Sequence, residues 1–213
     1  MPVGHPNYGD MTQCPVCNKG VLAQKLQEIS GLSPEMLGWT LYDFLKTHGR
    51  MEAHTAAEKF VSDPRGWLTI WGGYGEGKTY LLAAIVNACR LQGIAASYHI
   101  LPELLNRLRA TYDDDAKVGL DIMLDDLKTV TVLALDEIDR ARGTAWALET
   151  VFEILDSRYR NMRDIGTVLA QNSNPALDPD GPLGYLYSRI HDGRFEVVEI
   201  SGGDVRPHMK KEA

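Results

Sequence analysis

The stretch Gly72–Thr79 constrains the fold of this chain more than any other feature of its sequence. It reads Gly-Gly-Tyr-Gly-Glu-Gly-Lys-Thr and matches G-x-x-x-x-G-K-[ST], a pattern that binds phosphate where it joins a strand to a helix. The apolar run Trp67–Trp71 precedes it, and a helical pattern over Lys78–Gln92 follows. Glycines let successive backbone N–H groups surround a phosphate chain, and the helix N-terminus adds partial positive charge. The sequence therefore predicts a strand–loop–helix unit that holds nucleotide phosphates.

Two side chains of this loop have specific tasks. Lys78 can reach the β- and γ-phosphates, and the hydroxyl of Thr79 can ligate Mg²⁺. A glycine-rich turn with an incidental lysine is the alternative, and the flanking strand and helix disfavour it. ATP and Mg²⁺ are therefore the predicted cofactors. The residues predicted to bind the nucleotide are Gly72, Gly73, Tyr74, Gly75, Glu76, Gly77, Lys78, Thr79, Tyr80 and Asp136.

From Trp67 onward, short apolar runs alternate with helical patterns. Strands that are nearly all apolar and are separated by helices are typical of a parallel sheet covered on both faces. The predicted strands are residues 67–71, 95–100, 130–135, 167–171 and 195–200, and the predicted helices are residues 78–92, 102–109, 144–162 and 185–191. Earlier in the chain, residues 22–29 and 56–60 have helical apolar spacing. The predicted fold class is α/β, with a five-stranded parallel sheet between helices.

An acidic pair follows the third predicted strand. The apolar run Val130–Leu135 ends at Asp136 and Glu137. Beside a phosphate loop, the first acid can hold Mg²⁺ through water and the second can polarise an attacking water. A solvent-exposed acidic turn after a buried strand would give the same residues. Two consecutive acids favour an ATPase over a small-molecule kinase, in which this strand often carries a single acid.

Polar residues also end the fourth predicted strand, at Gln171–Pro175. An amide at this edge of the sheet could orient the attacking water. A turn before Pro175 explains the same residues without any function, because Asn and Ser are favoured in turns. The pattern alone leaves both interpretations open.

Composition limits the compartment and the partners. The 213 residues carry 22 Lys and Arg against 29 Asp and Glu, and this net charge of −7 disfavours nucleic-acid binding over the whole surface. No apolar run approaches the roughly 20 residues that span a bilayer, and no secretory signal is visible. The 3 cysteines cannot form a disulfide framework. We therefore expect a cytoplasmic protein without a membrane partner.

The charges are unevenly distributed along the chain. Arg158, Arg160 and Arg163 form a basic group near the end of the long predicted helix, where cations are favoured in any case. Arg107 and Arg109 lie on the helix predicted after the second strand. A nearby acidic run would repel DNA phosphates, and it comprises Asp113, Asp114, Asp115, Asp121, Asp125 and Asp126.

Five motifs in a fixed order carry a resemblance to a known family. They are Gly72–Thr79, Leu133–Glu137, Arg158-Tyr159, Gln171-Asn172 and Ser188-Arg189-Ile190. Residues 41–206, which contain them, resemble the AAA+ ATPases of the DnaC/DnaI helicase-loader group and the related IstB-type transposition helper ATPases. The resemblance implies an AAA+ P-loop core without a C-terminal helical lid. Tyr80 departs from the usual histidine, and Asp-Glu-Ile-Asp at 136–139 departs from the Asp-Asp-Leu-Gly of many relatives.

The resemblance also implies roles for single residues. Lys78 and Thr79 would be the Walker A lysine and Mg²⁺ ligand, Asp136 and Glu137 the Walker B pair, Asn172 the sensor-1 residue and Arg189 the arginine finger. Asn174 is the alternative sensor-1 residue if the turn is placed differently. A finger stabilises transition-state charge in a neighbouring subunit, so that hydrolysis requires assembly. A helix-surface arginine that pairs with a nearby acid is the alternative for Arg189.

The partners follow from the same resemblance. A helicase loader would bind a replicative helicase and single-stranded DNA and would self-associate into a ring or spiral. A transposition helper would use the same ATPase core to assemble on double-stranded DNA and recruit a transposase. A small-molecule kinase is a third hypothesis, and it would need a lid and an acceptor pocket.

The first part of the chain differs from the rest in pattern. We expect residues 1–60 to form a partner-binding or linker region and residues 61–213 to form the ATPase domain. Cys14 and Cys17 have the spacing of half a zinc site, and a reduced surface turn is the alternative. Apolar side chains in this region could pack on a helicase or on the ATPase core, and they are Leu22, Leu26, Ile29, Leu32 and Leu37.

Overall fold

A computed structural model describes residues 30–48, 50–110, 117–140, 144–175 and 184–204 of the chain. Helices and strands alternate through most of this range. The helices are α1 (Leu41–His48), α2 (Met51–Ser62), α3 (Lys78–Leu91), α4 (Leu101–Ala110), α5 (Lys117–Thr129), α6 (Ala145–Arg160) and α7 (Gly184–Ile190). The strands are β1 (Gly66–Gly72), β2 (Ala96–Ile100), β3 (Val132–Asp136), β4 (Gly166–Gln171) and β5 (Glu196–Ile200), and short 3-10 helices cover Met36–Gly38 and Ile138–Arg140.

The five strands form one parallel sheet in the order β2-β3-β4-β1-β5. Gly66 of β1 pairs with Gly166 of β4, and Leu68 pairs with Glu196 of β5. Only β4 separates β1, which leads into the glycine-rich loop, from β3, which ends at Asp136. In open α/β sheets ligands bind at the carboxyl ends of the strands, where the chain order reverses. The topology therefore brings the loop and the acidic pair to one edge of the sheet.

Successive strand residues point into two separate apolar layers, as the pleat requires. Val132 and Ala134 of β3 pack into the layer that contains residues of α1, α2 and α3, whereas Leu133 and Leu135 pack into the layer that contains residues of α4, α5, α6 and α7. Both faces of the sheet are thus covered. The predicted α/β class and five-stranded parallel sheet are confirmed.

Two helices were not predicted from the sequence. α1 packs on α2 and α3, and Phe44 on α1 is completely buried. α5 covers part of the chain that was interpreted only as an acidic run, and its Leu120, Met123, Leu124 and Leu127 pack into the second layer. This spacing is that of an amphipathic helix, with the acids on the other face. The apolar stripe was present in the sequence, but the density of aspartates obscured it.

The described residues before β1 pack against the first apolar layer. Leu32 contacts this layer, whereas 49% of Leu37 is exposed. Ala53, Ala57 and Phe60 of α2 are buried in it. Leu22, Leu26 and Ile29 lie outside the described residues.

Arg158 occupies the interior of the fold. Its guanidinium donates to Thr167 Oγ1 at 2.9 Å, to the carbonyls of Leu127 and Val130 at 2.9 Å each, and to the Gly166 carbonyl at 2.5 Å. The side chain is 0% exposed. Arg158 therefore does not form the predicted basic group with Arg160 and Arg163, because this buried arginine joins α6 to β4 and to the end of α5.

Replacing Arg158 by alanine is expected to lower the free energy of unfolding by about 3 kcal/mol or more, since it leaves several buried acceptors without a donor. Urea unfolding of the variant checks this. Arg160→Ala is the matched control, because the Arg160 side chain is 71% exposed and pairs with Asp156 at 3.0 Å, and such a pair contributes up to about 1 kcal/mol. Equal losses in the two variants would contradict the bridging role.

No helix follows β5 within residues 184–204. Over the part of the chain that the structure describes, none of the helices is long and apolar enough to cross a membrane.

Candidate nucleotide-binding site

The loop between β1 and α3 wraps around the side chain of Lys78. Gly75 and Gly77 have positive φ angles of 75° and 96°, which glycine adopts without strain. The Lys78 ammonium donates to the carbonyls of Gly72 at 2.7 Å and Gly73 at 2.6 Å. Burial lowers the pKa of Lys78, while Asp136 acts in the opposite direction. The loop thus holds a buried amine at the N-terminus of a helix, where anions are favoured.

Glu76 connects this loop to the segment after β5. Its Oε1 accepts from the backbone N–H of Gly203 at 3.1 Å, and the Gly203 carbonyl accepts from the guanidinium of Arg50 at 3.2 Å. A side chain at Gly75 would overlap the carboxylate of Asp204. The glycine at that position is therefore required by the close approach of the segment after β5 as well as by its φ angle.

The side chain of Asp136 is surrounded by donors. Thr79 Oγ1 donates to Asp136 Oδ2 at 2.6 Å, the phenol of Tyr98 donates to the same oxygen at 2.9 Å, and the Glu137 N–H donates to Oδ1 at 2.8 Å. Asp136 is only 2% exposed. Hydroxyl and carboxylate oxygens are the protein ligands that Mg²⁺ prefers. Thr79 and Asp136 therefore fit the predicted Mg²⁺ site in chemistry and in separation.

Glu137 has an unusual backbone. Its φ of 55° is the only positive value at a non-glycine residue within the described ranges. Residues held in this region of φ cluster at functional sites. The Glu137 carboxylate lies 3.4 Å from the guanidinium of Arg140, which also lies 5.5 Å from the ring centroid of Tyr74. The hydrogen bond to Tyr74, followed by the charge of Glu137, raises the pKa of Arg140.

The polar residues that end β4 are held by Asp139. The N–H of Asn172 donates to Asp139 Oδ2 at 2.9 Å, and the Asn172 amide donates to Oδ1 at 3.4 Å. Gln171 bonds the carbonyl of Ser173 at 2.7 Å, as in a local turn. Asn172 lines the same cleft as the glycine-rich loop, and Asn174 does not. The structure thus has both the turn at the end of β4 and Asn172 at the cleft.

A cleft of about 500 Å³ brings most of the predicted site residues together. Gly72, Gly73 and Arg189 do not line it, whereas ten predicted site residues do: Tyr74, Gly75, Glu76, Gly77, Lys78, Thr79, Tyr80, Asp136, Glu137 and Asn172. Glu35 and Trp39 extend the cleft beyond the predicted set, and Trp39 stacks on Tyr80 with ring centroids 4.5 Å apart. Trp39 was not among the predicted site residues, so its place beside the loop was missed.

Arg189 lies on α7 and does not line this cleft. Its guanidinium forms an ion pair with Asp156 and donates to the Tyr185 carbonyl at 3.1 Å. It also packs 5.5 Å from the Phe152 ring centroid and 5.3 Å from that of Tyr159. Within a single chain the arginine is paired with an acid, as the alternative interpretation expected. Its role toward a neighbouring subunit stays a prediction.

Cys14 and Cys17 lie outside the described residues. Within the described ranges, no group of three or more His, Cys, Asp and Glu side chains could hold a metal ion.

Tyr98 and Asp139 are further polar residues of the site that were not predicted. Tyr98 contacts Asp136 from a neighbouring strand, and Asp139 contacts Asn172 across 33 positions of sequence. In the sequence, Asp139 was noted only as the last residue of the Asp-Glu-Ile-Asp stretch at 136–139. Tyr98 had no signal, because a tyrosine in an apolar strand is an ordinary core residue.

Comparison with known proteins agrees with this geometry. Residues 40–174 match the family described as IstB-like ATP binding protein. The chain is 28% identical over 160 residues to the uncharacterized protein YqaM of Bacillus subtilis, covering 72% of this chain and 49% of that protein. It is 29% identical over 108 residues to the replicative helicase loader DnaI of the same organism, covering 51% of this chain and 33% of the loader.

A solved structure described as the crystal structure of the DnaI is similar in fold, with a TM-score of 0.65 and 26% identity. The match covers 83% of this chain and 95% of that one. The chain spans half or less of the full length of YqaM and of the loader.

Proposed function

The chain belongs to the family of IstB-like ATP-binding proteins, and on that premise we propose that it hydrolyses ATP with Mg²⁺ to load a replicative helicase onto single-stranded DNA. The core has the AAA+ fold of replication proteins such as DnaI. The observation that carries the proposal is the single cleft that Lys78, Thr79, Asp136, Glu137 and Asn172 line together. These residues come from the ends of three strands and are the parts that phosphoryl transfer to water requires.

The glycine-rich loop would bind the triphosphate. The Lys78 ammonium now bonds two loop carbonyls, and it would exchange them for phosphate oxygens, which are stronger acceptors. The backbone N–H groups at the start of α3 would donate hydrogen bonds to the phosphate oxygens of the same ligand. Thr79 and Asp136 would hold Mg²⁺, which neutralises phosphate charge when bound.

Glu137 would accept the proton of the attacking water. A carboxylate that acts as a general base must lie within hydrogen-bond reach of that water. Glu137 lines the cleft, and its carboxylate pairs with Arg140 at 3.4 Å. Asn172 would orient the water, since Asp139 holds its backbone and side chain. To bond this water, the Glu137 carboxylate would release Arg140, which is a local rearrangement of side chains.

Turnover would depend on self-association. Arg189 is absent from the cleft of its own chain but lies on the surface helix α7, with 20% of its side chain exposed. An arginine supplied by a neighbouring subunit would complete the charge stabilisation. We infer a ring or spiral in which each α7 faces the cleft of the next subunit.

The partner proposals rest on the relatives. Bacillus subtilis DnaI is a replicative helicase loader by name, and its match to this protein covers 51% of this chain. Residues 1–60 are our proposed partner-binding region, and 61–213 our proposed ATPase domain. The test is ATP-dependent transfer of a hexameric helicase from the host onto an oligonucleotide, followed by unwinding. Transfer supports loading.

A second candidate function is supported by the family match itself, since the matched family is IstB-like. A transposition helper would assemble on double-stranded DNA and recruit a transposase. Filaments that grow with the length of double-stranded DNA, in material that does not bind the helicase, would favour this candidate and contradict helicase loading.

A further inference from the structure

The phenol of Tyr98 is buried beside the proposed Mg²⁺ site. Tyr98 lies in the middle of β2 and is 0% exposed. Its hydroxyl donates to Asp136 Oδ2 at 2.9 Å, the same oxygen that accepts from Thr79. β2 and β3 are adjacent, with Tyr98 in register with Ala134 and with Ile100 in register with Asp136. Because strand side chains alternate, Tyr98 and Asp136 point to the same face of the sheet.

The hydrogen bonds fix the orientation of the carboxylate. Oδ1 accepts from the Glu137 N–H, and Oδ2 accepts from two hydroxyls. Without the phenol, Oδ2 would keep only the bond from Thr79, which is itself a proposed Mg²⁺ ligand. Among the described residues, the Asp136 carboxylate accepts from three donors. The Tyr98 phenol is the one that lies outside both the glycine-rich loop and β3 with its turn.

Ser30 and Gly31 bond the backbone of Tyr98 at the free edge of β2, opposite β3. β2 is an edge strand of the described sheet, and the N–H and carbonyl of Tyr98 face that edge. The Ser30 hydroxyl accepts from the Tyr98 N–H at 3.2 Å and donates to its carbonyl at 3.4 Å, and the Gly31 N–H donates to that carbonyl at 2.7 Å. Residues 30–31 lie within the proposed partner-binding region, residues 1–60, and contact the edge of the sheet.

We propose that Tyr98 is a positioning residue that orients Asp136 toward Mg²⁺, and that Ser30 and Gly31 set the place of Tyr98. The inference rests on the proposed function, because it assumes that Asp136 serves a nucleotide-bound Mg²⁺. Groups that orient a metal ligand preserve affinity by keeping the ligand in its bound geometry. Two hydrogen-bonded steps then connect Ser30 and Gly31 of the N-terminal region to Asp136, first to the Tyr98 backbone and then from its phenol to the carboxylate. A partner that pulls Ser30 and Gly31 from β2 would therefore weaken Mg²⁺ binding.

The test measures the gain in nucleotide affinity that Mg²⁺ provides. A fluorescent ATP analogue is titrated into each full-length protein, once with Mg²⁺ and once with EDTA. In Tyr98→Phe, which removes one oxygen, we expect the Mg²⁺-dependent gain to fall roughly tenfold, as for loss of an outer metal-site partner. The affinity in EDTA should stay that of the parent, which a general loss of structure would not leave intact.

Tyr159→Phe is the matched control, because the Tyr159 phenol donates to Asp192 at 2.8 Å at a place remote from the cleft. Thermal unfolding of both variants separates stability from binding. An unchanged Mg²⁺-dependent gain in Tyr98→Phe, with the parent showing one, would overturn the positioning role. An equal reduction in Tyr159→Phe would also overturn it. A parent without any Mg²⁺-dependent gain would contradict the proposed function instead.

The N-terminal link is tested by the double variant Ser30→Ala/Gly31→Pro, which removes all three bonds to Tyr98. Gly31 does not have a positive φ, so proline is compatible with the sign of its backbone angle. We expect the Mg²⁺-dependent gain to fall about threefold, in line with the loss of ordinary hydrogen bonds, with parent affinity in EDTA. A parent-like gain in this variant would overturn the link between Ser30, Gly31 and the metal site.

Discussion

Glu137→Gln is expected to bind ATP and Mg²⁺ with the affinity of the parent while its rate of ATP hydrolysis falls about 1,000-fold. Glutamine has the shape of glutamate but cannot take a proton from water. Among the residues that the structure describes, the Glu137 carboxylate pairs with Arg140 at 3.4 Å and accepts no bond from the glycine-rich loop. Phosphate release measured under saturating nucleotide, beside a binding titration, checks both parts.

The matched control for this variant is Glu52→Gln, an exposed glutamate on α2. It should hydrolyse ATP like the parent. Parent-like hydrolysis by Glu137→Gln would remove Glu137 from the role of general base. Loss of nucleotide binding in that variant would mean that Glu137 supports the site structurally.

Arg189→Ala is expected to reduce the hydrolysis rate of the assembled protein about 1,000-fold, while the nucleotide affinity of the single chain stays unchanged. The reason is that Arg189 lies outside its own cleft and would act on the nucleotide of a neighbour. Hydrolysis as a function of protein concentration, with assembly followed by sedimentation, separates the two effects.

The control for Arg189 is Arg160→Ala, because both arginines pair with the carboxylate of Asp156. Only Arg189→Ala should lose the assembly-dependent rate. If assembled Arg189→Ala hydrolyses ATP like the parent, Arg189 is a structural partner of Asp156 and not a finger.

The parts of the fold that the sequence predicted are those with strong local patterns. β3 is apolar from Val132 to Leu135 and ends in acid, and the glycine-rich loop follows β1 directly. Parallel strands that are buried on both faces have such continuous apolar runs in the sequence, because none of their positions faces water. α5 was missed because its apolar stripe is interleaved with aspartates that dominated the pattern.

The contacts that escaped prediction join residues distant in sequence. Tyr98 and Asp136 are 38 positions apart, and Arg158 is 31 positions from Leu127. A buried phenol and a buried guanidinium resemble ordinary core and surface residues until the strand order is known. Trp39 stacks on Tyr80 from a segment without a strong pattern of its own. The order β2-β3-β4-β1-β5, rather than any motif, places Tyr98 beside Asp136.

The central claim is that the triphosphate of ATP lies in the loop that surrounds Lys78, with Mg²⁺ against Thr79 and Asp136. The most direct measurement is a calorimetric titration of ATP with Mg²⁺ into the parent and into Lys78→Ala. We predict saturable binding at one site per chain in the parent and at least about 100-fold weaker binding in the variant, because the lost amine would make charge-assisted bonds to phosphate. No binding by the parent, or equal binding by both proteins, would contradict the claim.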